Sequence, residues 1–453
     1  MTDILRLPGW KATSTDESGP EFIIKAGYTL PAAACQKCGV VGNLYRHGTK
    51  ELTFRDTPFF GKPTLLVAEV QRYRCRECSE TFIQSLAGID TDRRMTTRCI
   101  EYIQKLCLKD TFSRMAEHIG CTEGTIRNIA GDRIERLNSE FRPYLPEWLG
   151  VDETKLDRGM RCIITDVGSN RPIDILPDRE KRTLAGWLSQ FKDRSMVKGL
   201  AIDMWKPYKD VAAMMFDDLP VVIDKFHVVR MANTAVDRVR IRIQSSRTKG
   251  VRVSWKRSKL LLVKRTKNLN DPQRFSLQMW LDNEPEVAAA YRLKERFFDI
   301  YDMPKDQAVE AFDAFTSTVP AEMKAEFHEL TRAMKNWRKE ILAYFDHPIS
   351  NGYTEALNGV AKVINRAGRG YSFDVMRARI LYKHGPQLAA QAARVRCWSC
   401  DVVLEDSDEK LTAMIVATMD TPPNRIMVCA ACHARFNTEF IERHRLLSTQ
   451  FCE

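Results

Sequence analysis

Two short apolar runs, residues 197–202 and 219–223, have the length of buried parallel strands, and each stops at an aspartate, Asp203 and Asp224. The segment between them reads as a helix. Upstream, residues 148–152, 160–167 and 172–176 read as three more strands, with Gly168, Ser169 and Asn170 as a hairpin turn, and a helix spans about 183–191. A three-strand meander, a helix, then strand, helix and strand predict a mixed sheet with helices on its faces. From there to about Phe345 the period is helical, with Pro272, Pro285, Pro304 and Pro320 near the starts of segments, where a missing N–H does no harm. A last helix carries an apolar stripe of Leu357, Val360 and Ile364, and Gly368 and Gly370 can end it. On another face of it Glu355, Asn358, Lys362 and Arg366 follow at i, i+3, i+7 and i+11, a set suited to a metal-bound phosphate or to plain solvent.

The N-terminal third has a different texture. Residues 1–31 show little periodicity, and 13–20 read as a linker. Residues 65–73 are β-like, and 96–137 are helical. Within the latter, Phe112, Met115, Ala116 and Ile119 form one apolar face, Gly120 can supply a turn, and Thr122 can cap a second helix carrying Ile126, Ile129 and Ile134. This is the layout of a helix-turn-helix, which leaves Arg127 and Asn128 for a DNA groove, although any helical hairpin gives the same pattern.

Charge and cysteine usage narrow the classes. The 453 residues carry 70 basic against 59 acidic side chains, a formal charge of +11, which points to a polyanionic partner and most simply to double-stranded DNA. The excess peaks over residues 238–267, with twelve Lys or Arg and no acid. Arg252, Lys256 and Arg257 there read as a polyanion-binding arm, as do Arg72 and Arg74 on the β-like segment and Arg369 after the last helix. No apolar run reaches the roughly 18 residues of a membrane span, and no leader pattern opens the chain, so a cytoplasmic protein without a membrane partner is expected. Eight of the 13 cysteines fall in four C-x-x-C pairs. In a reducing compartment these suggest two structural zinc ions, one on Cys35, Cys38, Cys75 and Cys78 and one on Cys397, Cys400, Cys429 and Cys432.

The order of these motifs is itself informative. A zinc knuckle and a helix-turn-helix precede VDE at 151–153, IDMWKPY at 202–208, DKFHVVR at 224–230, and NGYTEALN with NRAGRGYSF at 351–373. In this order they closely resemble bacterial insertion-sequence transposases of the ISL-three type. That resemblance implies an RNase H-like catalytic domain with an Asp, Asp, Glu triad, here Asp152, Asp203 and Glu355, with Asp224 and His227 as a supporting pair. It also implies that residues 238–345 are a helical insertion ahead of the helix bearing Glu355. The cysteine-containing tail after Arg396 departs from the short ending of the family.

The expected architecture is thus multidomain α/β. An N-terminal segment (1–30) precedes a zinc ribbon (31–90) and a helix-turn-helix domain (91–145). An RNase H-like mixed sheet in two parts (146–230 and 347–395) is interrupted by a basic arm and all-α insertion (231–346), and a C-terminal four-cysteine zinc module (396–453) follows. The expected function is transposition: binding the terminal inverted repeats of an element, cutting, and joining to target DNA. A DNA-bound homodimer or higher oligomer, associated with the bacterial nucleoid, would carry this out. The alternative is a domesticated DNA-binding regulator that keeps the fold without turnover. Phosphodiester chemistry of this kind is served by two Mg²⁺ or Mn²⁺ ions held by converging carboxylates. Neighbouring strand residues face opposite ways, so Asp152 rather than Glu153 is the expected ligand, with Asp166 and Asp224 in reserve.

Overall fold

A computed structural model of the chain describes residues 4–368 and 370–382 and three further strands at 412–418, 421–428 and 446–449. Two compact units emerge, one of Met1–Arg142 with Ile364–Glu453 and one of Pro143–Val363.

The first unit is built on a seven-stranded sheet. Its strands are β1 (Trp10–Asp16), β2 (Phe22–Tyr28), β3 (Leu44–Phe59), β4 (Lys62–Cys75), β5 (Thr81–Ile83), β6 (Ile89–Asp90) and β7 (Met95–Thr96), in the order β1-β2-β4-β3-β7-β6 with β5 on β4. β3 and β4 form a long antiparallel hairpin from Leu44 opposite Cys75 to Phe59 opposite Lys62. It closes at Phe60 and Gly61, both with positive φ (48° and 74°), the backbone that matches a two-residue turn to strand twist. Residues 13–20 were expected as linker, but 10–16 and 22–28 are strands. The buried Trp10, Phe22, Ile24 and Ala26 supply the apolar face, while β1 lies at the sheet edge, where polar residues are tolerated on its exposed positions.

Three helices follow, α1 (Thr97–Leu106), α2 (Phe112–Ile119) and α3 (Glu123–Glu140). Gly120 ends α2 in the left-handed conformation, and Thr122 accepts a hydrogen bond from the Thr125 N–H to cap α3. The expected apolar faces, Phe112, Met115, Ala116 and Ile119 against Ile126, Ile129 and Ile134, are buried.

In the second unit the strands are β8 (Trp148–Leu156), β9 (Gly159–Asp166), β10 (Arg171–Leu176), β11 (Gly199–Ile202) and β12 (Val221–Ile223). They lie in the order β10-β9-β8-β11-β12, antiparallel across the first three and parallel across the last three. Helices α4 (Lys181–Ser189) and α5 (Lys206–Met215) connect them, and α6 (Lys225–Gln244) leaves β12. A helical array follows: α7 (Lys249–Val263), α8 (Asp271–Asn283), α9 (Pro285–Ile300), α10 (Lys305–Phe315), α11 (Lys324–Asn336) and α12 (Arg338–Leu342). Then comes α13 (Gly352–Ala367). Prolines sit at the first turns of α8 and α9 and at the cap of α10, as their missing N–H requires.

The acid-free basic run is less free than its sequence suggests. Acids from other helices reach it: Arg238 pairs with Glu329, Arg242 with Glu286 and Glu326, Arg247 with Glu284, and Arg265 with Asp299 and Asp302. Local composition cannot report partners that arrive from later helices.

The last described helix, α14 (Phe373–Tyr382), packs within the first unit. The Tyr371 hydroxyl accepts the Phe112 N–H (3.1 Å), and Arg379 donates to the Cys107 carbonyl (2.8 Å). Tyr371 and α14 thus pack against the α1–α3 helices. β13 (Thr412–Thr418), β14 (Thr421–Val428) and β15 (Leu446–Thr449) form an antiparallel sheet, while Cys397, Cys400, Cys429 and Cys432 lie outside the described residues.

Candidate metal centre

Strand register assembles the centre. Val151 on β8 lies opposite Ile202 on β11, which lies opposite Ile223 on β12. The residue after each of these is an aspartate, so Asp152, Asp203 and Asp224 stand at one level across three parallel strands. Asp224 caps α6, one carboxylate oxygen accepting the Phe226 N–H at 3.0 Å, and the Asp224 carbonyl accepts the His227 N–H, fixing His227 in the first helical turn. Helix α13 supplies Glu355 and Asn358.

Gly150 explains how α13 comes so close. A Cβ there would stand 2.7 Å from Asn351 Oδ1 and would collide with Thr165 Oγ1. Without one, Thr165 and Thr354 share a 2.6 Å hydrogen bond, and Asn351 donates to the Val151 carbonyl (3.4 Å) and accepts from the Thr354 hydroxyl. The buried face of α13 is therefore Thr354, Leu357, Asn358 and Ala361, and not the expected stripe through Val360, which is 47% exposed. Asn358 was placed on the phosphate face with Glu355. Its amide instead donates to Asp152 Oδ2 at 2.7 Å from the buried side. Neither Gly150 nor this Asn–Thr–Thr network was singled out in the sequence; a lone strand glycine one residue before VDE was the available signal.

The geometry divides the acids into two overlapping trios. Asp152, Asp203 and His227 offer donor atoms within 4.8 Å of one another, and so do Asp224, His227 and Glu355. His227 is the shared member, its Nδ1 3.6 Å from Glu355 Oε1. Burial pushes the Asp152 carboxyl up to about 6, with Asp203 and Glu355 adding to the rise, and burial likewise raises Asp203 and Asp224. Asp203 Oδ1, Asp224 Oδ2, His227 Nδ1 and Asn358 Oδ1 are buried without a hydrogen-bond partner. Buried carboxylates are costly unless neutralised, and a divalent cation would satisfy these orphaned atoms at once. The residues therefore fit a metal.

The surrounding candidates fall elsewhere. Glu153 turns to Arg179 in a 2.6 Å ion pair. Asp166 accepts from Tyr144 and Ser169 at a hairpin end. Lys362 and Arg366 lie further along α13 and are exposed. Arg72 and Arg74 are half-buried on β4. Arg127 pairs with Glu123 at 2.7 Å and rests on the Phe112 ring, while Asn128 is exposed. Arg252 and Lys256 are exposed on α7, which also carries Arg257; Arg369 lies outside the described residues.

The four N-terminal thiols form a second, separate centre. Cys35 and Cys78 are 3.6 Å apart, as are Cys38 and Cys75. That is far beyond a disulfide and close to the ~3.8 Å between sulfurs arranged tetrahedrally about a zinc ion at ~2.3 Å. The knuckles match: Gly39 follows Cys38 and Ser79 follows Cys78, both with positive φ, and Lys37 bridges to Glu80 at 2.9 Å. The Cys38 backbone N–H holds the Cys35 thiol down at about 7, while burial and the neighbouring thiols push Cys38 and Cys78 up, as expected of sulfurs crowded together.

One unit thus carries a four-thiol cluster and the other a set of carboxylates gathered around His227. Residues 149–380 match the transposase family of the ISL3 type, and residues 31–78 match the zinc finger of transposases IS204/IS1001/IS1096/IS1165. The chain belongs to this transposase family and is a DNA transposase. It is similar to the transposase for insertion sequence element IS1001 of Bordetella parapertussis, 23% identical over 379 residues, which cover 81% of this chain and 93% of the relative. No described helix is long and apolar enough to cross a membrane.

Proposed function

We propose that this transposase binds the terminal inverted repeats of its own element, cleaves there, and joins the freed 3′-hydroxyl to target DNA, using two divalent ions held by Asp152, Asp203 and Glu355 with Asp224 and His227. The observation that carries it is the convergence of these residues, with orphaned oxygens and a raised carboxyl, at one level of the sheet. The strand order β10-β9-β8-β11-β12 supports an RNase H-like domain. Mg²⁺ or Mn²⁺ would polarise the scissile phosphate and lower the pKa of the attacking group. Asp152 and Asp203 orient one side of that site, and Asn358 holds Asp152 in place from behind.

The zinc ribbon and the α2–α3 pair supply end recognition. Asn128, exposed near the start of α3, faces a groove, and Arg72, Arg74, Arg252, Lys256, Arg257, Lys362, Arg366 and Arg369 contact phosphates. A dimer or larger assembly holds two ends, and the C-terminal cysteines hold a second zinc. Incubation of a supercoiled plasmid carrying the native element ends with protein and Mg²⁺ tests this reading. Nicking or excision at the ends, absent in Asp203→Asn, is expected. Cleavage undiminished in that variant overturns it.

A further inference from the structure

The proposed site treats His227 as a support, yet the geometry assigns it more. Its Nδ1 is buried and without a hydrogen-bond partner, although Glu355 Oε1 is only 3.6 Å away. A separation of 3.6 Å is too long for a hydrogen bond. It is close to the ~3.0–3.4 Å that separates two donors each ~2.1 Å from one ion. Asp224 completes the set: the residue is fully buried, one oxygen is committed to the Phe226 N–H, and the other has no partner. Among the described residues Asp224 Oδ2 and His227 Nδ1 have no hydrogen-bond partner, and with Glu355 these residues offer donors within 4.8 Å of one another; His227 also belongs to the Asp152–Asp203 group, but its Nδ1 is the atom set against Glu355.

We propose that Asp224, His227 and Glu355 form a divalent-cation site of mixed nitrogen and oxygen donors, distinct from the ion held by Asp152 and Asp203, with His227 a direct ligand. This rests on the metal-dependent reading above and divides its donors between the two ions. The consequence is chemical. Carboxylate oxygens suit Mg²⁺ and Mn²⁺ alike, whereas an imidazole nitrogen favours first-row transition ions over Mg²⁺. The Asp152–Asp203 ion is then indifferent between the two metals, and the Asp224–His227–Glu355 ion selects Mn²⁺.

The test uses the full chain with its structural zinc in place. Mn²⁺ binding is measured by electron paramagnetic resonance titration, with electron spin echo detection of ¹⁴N coupling. Two Mn²⁺ per chain are expected, one with nitrogen coupling. His227→Asn should abolish the coupling and weaken one ion on the order of ten- to a hundredfold, leaving the other unchanged. Asp224→Asn, which keeps the helix cap, should weaken the same ion and retain the coupling. The advantage of Mn²⁺ over Mg²⁺ in plasmid cleavage should shrink in His227→Asn. Wild-type protein that binds two Mn²⁺ without nitrogen coupling, or His227→Asn that binds both ions normally, overturns the proposal while leaving the carboxylate reading intact. Failure of Asp203→Asn to reduce cleavage instead overturns that underlying reading.

Discussion

The thiolate and carboxylate centres are built in opposite ways. Four thiols come from two knuckles at the open end of one hairpin, where strand pairing of Leu44 with Cys75 brings them together without help from the rest of the fold. The carboxylate centre needs the middle of β8, the ends of β11 and β12, a helix cap and a helix from far along the chain. The first centre is a product of spacing and the second of sheet register. Each should therefore fail without the other.

The largest effects test that independence. Asp203→Asn or Glu355→Gln should lower strand cleavage on the order of a thousandfold, because ion affinity and charge stabilisation in the transition state are lost together. Element-end binding and zinc content should not change, as gel shift and elemental analysis would show. Cys38→Ser should do the reverse. Thiolate zinc contributes on the order of 10 kcal/mol to the folding of small zinc modules, so this variant should lose its ribbon zinc and end binding while still taking up Mn²⁺ at the carboxylates. Loss of Mn²⁺ uptake in Cys38→Ser would end the claim that the centres are separate.

Smaller effects probe the supports. Asn358→Ala removes the hydrogen bond to Asp152, and the loss of such a support typically costs ten- to a hundredfold in metal affinity or activity. Unaltered Mn²⁺ affinity with normal cleavage would reduce Asn358 to packing. Gly150→Ala forces Asn351 and Thr165 apart and tilts α13 off β8. Overpacking of this kind costs about 1–3 kcal/mol, visible as a lower melting temperature, with a cleavage defect because Glu355 moves too. A variant with normal stability and activity would show that α13 docks by some other contact.

This contrast also explains what the sequence made legible. The two N-terminal C-x-x-C pairs could be read because their geometry is local, and so could the strand ends at Asp203 and Asp224, since short apolar runs terminate on them. Asp152, and its partnership with Glu355, were reached through resemblance, because no local pattern links a strand acid to a helix acid two hundred residues away. The buried face of α13 was misjudged for a related reason. Val360 looks like core by composition, whereas Thr354 and Asn358 are buried because polar partners on β8 and β9 await them. The strand at 10–16 was lost to Ser and Thr content that an edge strand accepts, and the inner strand at 22–28 was missed because seven residues are too few for its alternation to stand out. Part of the basic run is met by acids from later helices, which no local count of charges could show.

A last prediction sharpens the comparison from the side of a buried charge that already has partners. Lys294 is fully buried, donates to the carbonyls of Leu262 and Lys264 at 2.9 and 2.7 Å, pairs with Glu295, and lies 4.0 Å from the Tyr291 ring centre. It closes the C-terminal end of α7, a structural task that needs no ion. Burial lowers its ammonium to about 8, against the pull of Glu295. An unfolded lysine titrates near 10.4, so between pH 8 and 10 the unfolded chain holds a proton that the folded chain has released. The stability of the folded state should therefore rise with pH across that window, by at most ~1.4 kcal/mol per unit from this group. Lys294→Met abolishes the titration. The stability difference between wild type and this variant, from urea unfolding at pH 8, 9 and 10, should grow by about 2 kcal/mol in favour of wild type. Parallel pH profiles would mean that Lys294 keeps its proton throughout, its two carbonyls and Glu295 outweighing burial.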